Sequence, residues 1–513
     1  MNVGDRVVIK ITNLELPHEA IVMHFHGIHQ HGTPWYDGAA YVTNCPIVFG
    51  TPLVYNFTVT RAGTFWYHSH VGSSRMEGTY GMFIVHEVST DVEPFAYDDE
   101  ISVILSDWYH TAIGDIEAGL LRNPFRWPGN GNSVLINGKG ECAECPFVHP
   151  SSSPSSSATC TGKRTNFLVE PGKTYLLRIL NAASLAYYNM AIGGHNMTVV
   201  AADASYTVQS TQQSVDIGPG MRLSVLVTTD KHAAPLLDSE LFTYAIQVQS
   251  EWRGNDTTAS GIGNAFLTYA SSYTINEAVA TGSVDSTVSD TVSPAIPPNE
   301  SRDWDDWNDV LNTYVSPSGD PPLHTCPDNS AVTDVIHLTI QQQYVNVRTG
   351  QGLSPPLNRS GVEHTAMGWT LHNNSKQVPS STPHLLERYF DTIVDGQNTY
   401  DNDGTPPIRL ELGSVVDIVI QNSVATNGVC EQHPWHLHGH DFFVVGQGSG
   451  QYTSASAQGV YNTANPPLVD GIVGYPSSHA NRRSEGGTVD PGEWMEPCGW
   501  ITLRFTANNP GKM

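Results

Sequence analysis

The sequence predicts an all-β protein of three consecutive units, and three observations carry that expectation. Short runs alternating Val, Ile, Thr, Tyr and Phe with polar residues recur along the chain, the period-two mark of half-buried strands. Turn formers punctuate them, with 46 glycines and 33 prolines. The 513 residues are 39% hydrophobic, enough apolar material for more than one core. Together these favour β-sandwiches or barrels over helical bundles.

The first unit, residues 1–88, runs from "VGDRVVIKITN" to "GMFIVHE" and holds two histidine clusters. A second, 97–272, passes through "EISVILSDWYH", "SVLINGKG", "KTYLLRILNAA", "HNMTVVAADA" and "RLSVLVTTD" without a histidine cluster. Gly, Asn and Asp stand at its breaks, as strand ends require. Its insertion "CAECPFVHPSSSPSSSATC" reads as a low-complexity loop stapled by cysteines. Residues 273–330 turn rich in Ser, Pro and Asp and read as a linker, with one short helix expected at "RDWDDWNDVLNTY". The third unit, 331–513, contains "VIHLTIQQQ", "PPIRLELGSVVDIVIQN", "HPWHLHGH" and "GWITLRFTANNPGKM".

Charge excludes some partners. With 24 basic and 50 acidic residues the formal net charge is −26, so the surface should repel nucleic acid and anionic membrane. No apolar run approaches the roughly 20 residues that span a bilayer. Residues 1–20 hold no signal-peptide core. Sequons at Asn56, Asn196, Asn255, Asn299, Asn358 and Asn373 lean towards secretion. Seven cysteines, Cys45, Cys142, Cys145, Cys160, Cys326, Cys430 and Cys498, are scattered rather than bunched in zinc-finger spacing, which suits disulfides in an oxidising compartment. An odd count leaves one thiol without a partner.

Histidine spacing carries the chemistry. "HFH" at 24 and 26, "HSH" at 68 and 70 and "HLH" at 436 and 438 share one pattern. Side chains at i and i+2 of a strand point to one face, so each pair presents two imidazoles side by side. A single such pair is easily an accident, but three that converge put six imidazoles in one cavity. A structural zinc site needs four ligands and a catalytic one three. Six exceed what one zinc ion takes, and imidazole suits copper as well. His433, three residues before the last pair, is able to serve a separate centre.

"HFHG", "WYHSH" and "HPWHLHGH", in this order, resemble three of the four copper signatures of the multicopper oxidases, the family of laccases and ascorbate oxidases. The resemblance extends over nearly the whole chain through "GTPWYDGAAYVTNCPI", "SVLINGKG", "LRILNAASLAYYNMAIGGHNMTVV" and "NPP…GWITLRFTANNPG". It implies three cupredoxin-like, that is plastocyanin-like, Greek-key β-barrel domains, the first and last incomplete. It also implies four copper ions: a type 1 copper that takes electrons singly from a small reducing substrate, and a trinuclear cluster between the first and third domains that reduces O2 to water. Carried over by position, His24 and His436 would bind the type 2 copper, His26, His68, His70 and His438 the type 3 pair, and His433 the type 1 copper. Asp37, in "WYDG", matches an acid thought to deliver protons to oxygen, a role the chemistry needs. A turn aspartate before glycine is the alternative. His440, His29 and His31 match no ligand: His440 is expected to be packed or hydrogen-bonded, the other two to lie at the surface.

The same resemblance calls for a His-Cys-His run after "NNPGKM", supplying the type 1 thiolate, its second histidine and two further type 3 ligands; the sequence ends at Met513. The expectation is therefore a chain truncated at both ends, holding six of eight trinuclear histidines and showing little oxidase activity as written. Cys45 matches a cysteine that pairs beyond that run in related enzymes. Cys430 and Cys498 are candidates for one pair, and Cys142 or Cys145 for another with Cys160, with connectivity open. For the donor, diphenols or similar molecules are expected, yet "LNAASLAYYN" lacks the acidic residue common in phenol-oxidising laccases. Ascorbate, ferrous iron, or a non-catalytic copper-binding role stay open. The resemblance further implies a secreted monomer.

Overall fold

The computed structural model of the chain describes residues 1–14, 20–88, 93–122, 124, 126–140, 164–238, 240–251, 261–281, 325–346, 365–371, 408–425, 430–457, 460–461, 466–474 and 497–509. Its architecture is all-β. In the first unit, strand Arg6–Thr12 pairs antiparallel with Pro52–Thr58, and Met23–His26, Gly63–Ser69 and Tyr80–Val85 form a three-stranded antiparallel sheet in that order. The sequence dictates the faces. Met23 and Phe25 alternate with His24 and His26, so the first two join a buried cluster with Tyr55, Phe57, Phe65 and Phe83, and the histidines turn to the other face. Phe25 lies 4.9 Å from Phe57 and 5.3 Å from Tyr55, ring centre to ring centre. Burying an aromatic side chain of this size stabilises the unit by about 1.5–3 kcal/mol.

The second unit packs a five-stranded sheet against a six-stranded one. Strands Thr174–Asn181, Arg222–Thr228 and Met197–Ala202 lie adjacent at the middle of the larger sheet. Thr174–Asn181 also pairs in parallel with Asp99–Trp108, which a hairpin cannot do and which needs a long crossover. In the third unit Val332–Asn346 likewise runs parallel to Val415–Ser423 within a six-stranded sheet. A two-stranded ribbon of His433–His436 and Gly471–Gly474 completes it. Leu177, Val225 and Ile246 of the second unit and Ile420, Phe442 and Leu503 of the third belong to one continuous buried cluster. Trp66, Leu180 and Ala182 form a smaller one between the first and second units.

At the start of the stretch read as a linker, Ser272–Thr281 is an α-helix; its residues "SYTINEAVAT" contain neither Pro nor Gly to stop one. The helix expected at 302–314 lies outside the described residues, as do Cys142, Cys145 and Cys160. The strand reading of the histidine pairs holds fully only for His24 and His26. Strand Gly63–Ser69 ends one residue before His70, and His433–His436 ends before His438. Cys430 and Cys498 form a disulfide, tying the segment before His433 to the central strand Pro497–Thr506. Among the described residues no helix is long and apolar enough to cross a membrane.

Candidate metal centre

Six imidazoles converge between the first and third units. His24 and His68 are cross-strand partners, which places the two first-unit pairs together. The third unit lays its own pair on top of them: His436 stacks on His26 with ring centres 3.6 Å apart, and His438 on His24 at 3.9 Å. His70, at the exposed rim, stands 5.6 Å from His24 and 4.9 Å from His438. Ligand atoms of His24, His26 and His68 lie within 4.8 Å of one another, as do those of His24, His436 and His438 and of His26, His436 and Asp470.

Four of the six rings are anchored through Nδ1. His24 Nδ1 donates to the Asp37 carbonyl at 2.6 Å, His436 Nδ1 to the Asp470 carbonyl at 2.5 Å and His68 Nδ1 to the Ser69 carbonyl at 3.0 Å. A carbonyl only accepts, so these bonds put the proton on Nδ1 and leave an Nε2 lone pair. His438 Nδ1 meets Asp37 Oδ2 at 2.7 Å. His26 is turned the other way, with Nε2 3.3 Å from Asp470 Oδ1, which leaves its Nδ1 available. Anchoring of the non-ligating nitrogen by carbonyl or carboxylate is what metal-bound histidines require.

The consequence is sharpest at His24 and His436, whose Nε2 atoms face each other at 3.4 Å. With both protons committed to carbonyls, two lone pairs oppose each other, and a cation between them removes the repulsion. Burial, reinforced by the neighbouring rings, lowers the pKa of His26 to about 3 and holds His68 and His436 well below the usual imidazole value. These three rings therefore stay neutral, the state that binds metal. The donor set fits copper: imidazole-rich, buried and too large for a single ion.

Asp37 is buried beneath this cluster. Burial alone would raise its pKa, but the His24 and His438 imidazoles outweigh that and hold it well below the usual carboxylate range. The chain reaches this position through Gly38, whose φ is +81° and whose missing Cβ would fall 1.9 Å from the Met23 carbonyl oxygen. Only glycine fits there.

His433 is not part of the cluster. It shares a strand face with Trp435, opposite His436, and lines a small pocket with Ile340, Ile420, Asn422, Trp435, Gly499 and Ile501. His440 is buried with its ring against Phe505, as expected. His31 is exposed, but His29 is not the surface residue the sequence suggested. Half-buried, it lies 3.2 Å from Asp441, which also pairs with Arg61, and its carbonyl accepts from Asn509 at 2.7 Å. These contacts fasten the first unit to the third.

Sequence reasoning missed Asp470, Arg222 and Asp203. Arg222 forms a two-pronged ion pair with Asp470, at 2.7 and 2.5 Å. Asp203 accepts from the Arg222 backbone at 3.0 Å and from the backbone N–H groups of Asp470 and Gly471 at 3.0 and 3.2 Å. All three are essentially sealed from solvent. Their sequence contexts, a strand arginine and two aspartates beside turns, carry no spacing signal that would have singled them out.

Comparison with known proteins places these features. Family profiles described as multicopper oxidase match residues 1–90, 99–272 and 373–513. An L-ascorbate oxidase of Cucurbita pepo var. melopepo is 33% identical over 99% of this chain and 84% of its own. Laccase-2 of Oryza sativa subsp. japonica is 29% identical over 99% of this chain and 81% of its own. Among solved structures, the laccase from Botrytis aclada superposes with a TM-score of 0.69 at 24% identity, over 99% of this chain and 76% of that one.

Proposed function

Because the chain belongs to the multicopper oxidase family, we propose that it couples one-electron oxidation of a small reducing donor to the reduction of O2 to water, with the six-histidine cluster as its oxygen-reducing centre. One observation carries this reading: the opposed, unprotonated Nε2 atoms of His24 and His436. Bound copper would supply the redox chemistry, accepting electrons from the donor and passing them to oxygen. His24 and His436 would hold one ion, His26, His68, His70 and His438 an adjacent pair, and His433, in its separate pocket, a copper nearer the donor.

The chain's own residues do the rest. Carbonyl anchors fix the tautomers of His24, His68 and His436, so no ring has to reorient to bind. Asp37, ionised and bonded to His438 Nδ1, is a carboxylate at the edge of the cluster able to take up a proton and pass it inward, which water formation requires. Stacking of the third unit's rings on those of the first excludes bulk water from the buried side.

For the donor, the ascorbate oxidase relative at 33% identity against the laccase at 29% favours ascorbate over diphenols, as does the absence of acid from "LNAASLAYYN". The disulfide and the exposed sequon residue Asn196 support a secreted protein. The test has two parts. Copper titration of residues 1–513 should show tight binding that His24→Ala or His436→Ala removes; a chain that binds copper no better than these variants refutes the centre. Oxygen uptake by the protein produced from its own gene, compared on ascorbate, a hydroquinone and ferrous iron, ranks the donors.

A further inference from the structure

We propose that Arg222 is a positioning residue of the histidine cluster: the second unit, which gives the cluster no histidine, helps to set its geometry through this side chain, with Asp203 in support. The inference rests on the cluster being a copper centre. Arg222 touches all three units. Its Nε donates to the Thr64 carbonyl of the first at 2.8 Å, its backbone N–H to Asp203 of the second, and both terminal nitrogens to Asp470 of the third. Asp470, held in this grip, faces two histidines. Its carbonyl accepts from His436 Nδ1 at 2.5 Å, and its carboxylate stands 3.3 Å from His26 Nε2. Asp203 closes the arrangement by accepting from the Asp470 and Gly471 backbone, immediately across the ribbon from His436.

A planar guanidinium fork fixes a carboxylate in both distance and plane, which a point charge does not. Fixing Asp470 therefore fixes the plane of His26 and of His436, rings on different units that stack at 3.6 Å. The sequence leaves room for the fork. Gly27, next to His26, has φ +88°, and a Cβ there would come within 2.6 Å of Asp470 Oδ2 and 2.7 Å of an Arg222 terminal nitrogen. The glycine of "HFHG" is thus required by the ion pair as well as by its backbone.

Arg178 provides the control. It too is fully buried on the second unit and reaches Thr64, through the hydroxyl at 3.1 Å, but its ion-pair partners among the described residues are Glu100 and Glu93 rather than Asp470. The experiment is a copper(II) titration against a competing chelator, with the electron paramagnetic resonance spectrum of the bound ion, on wild-type chain, Arg222→Gln and Arg178→Gln. Both variants should lower the melting temperature. Only Arg222→Gln should weaken copper binding, by about 10–100-fold as for the loss of other groups that orient metal ligands, and change the copper hyperfine splitting. Equal effects of the two variants on copper, or wild-type binding and spectrum in Arg222→Gln, overturn the proposal. If Arg222→Gln does not fold, Arg222→Lys keeps the charge and loses the fork; wild-type affinity and spectrum in that variant overturn it equally. A wild-type chain that binds no copper rejects the cluster reading itself, and the proposal with it.

Discussion

His24 and His436, 412 positions apart in the chain, direct their Nε2 atoms at each other across 3.4 Å. Both Nδ1 protons are spent on carbonyls, so the two residues should act on one ion as a unit. His24→Ala and His436→Ala are each expected to reduce copper affinity by more than the roughly 10–100-fold cost of losing an orienting group. The double variant should be scarcely worse than either single one. Chelator competition on all three decides the matter, and additive losses would mean that the two rings serve different ions.

Asp441 joins the first and third units through Arg61 and His29. Burial alone would raise its pKa, but Arg61 first and His29 next outweigh this and leave it below the usual carboxylate value. A folded pKa beneath the unfolded value of about 3.9 means that the contribution is fully present above that pH and is lost as pH falls through the folded pKa. Asp441→Asn should therefore cost about 1.5–3 kcal/mol near neutrality, with the gap closing below about pH 4. Urea unfolding of both proteins at several pH values measures it. A gap that widens in acid contradicts the assignment.

Much of this site was legible because its ligands come as neighbours two apart. The pairs 24/26, 68/70 and 436/438 announce themselves without any knowledge of the fold, and all six do meet. Strand periodicity explained only the first pair, since His70 and His438 lie past their strand ends, where turn geometry rather than alternation aims the side chain. Asp203, Arg222 and Asp470 stayed hidden for a different reason. Arg222 and Asp470 are 248 residues apart, and nothing local distinguishes a strand arginine bound for an ion pair from one bound for solvent. His29 misled in the same way: its partner Asp441 is 412 residues on. The helix at 272–281 was lost to composition, because the Ser- and Pro-rich stretch after it coloured the reading of the whole segment.

The two thiols free of disulfides among the described residues should differ in reactivity. Cys45 is exposed, whereas Cys326 is buried and burial pushes its thiol up to about 11. The thiolate is the reactive form, so at pH 8 Cys45 should label rapidly with a maleimide and Cys326 only after unfolding. Mass mapping of labelled peptides from native and denatured protein, with Cys45→Ser as reference, tests this. Rapid native labelling of Cys326 would show that the segment before strand Val332–Asn346 opens readily.

Gly38 separates backbone strain from collision. Gly50 has nearly the same φ, +77° against +81°, yet a Cβ there meets nothing within 4 Å, while at Gly38 it would fall 1.9 Å from the Met23 carbonyl oxygen and 2.8 Å from the His24 nitrogen. Gly50→Ala should cost only the left-handed backbone penalty, about 1–2 kcal/mol. Gly38→Ala must also push Asp37 away from the strand that carries His24. Its loss should exceed that of Gly50→Ala by at least about 2 kcal/mol, accompanied by weaker copper binding, because the Asp37 carbonyl and carboxylate that anchor His24 and His438 move with it. Denaturation midpoints and copper affinity for the two variants give both quantities. Equal stability losses would mean that the Asp37 turn yields without disturbing the strand, and unchanged copper affinity that Asp37 does not hold these rings in place.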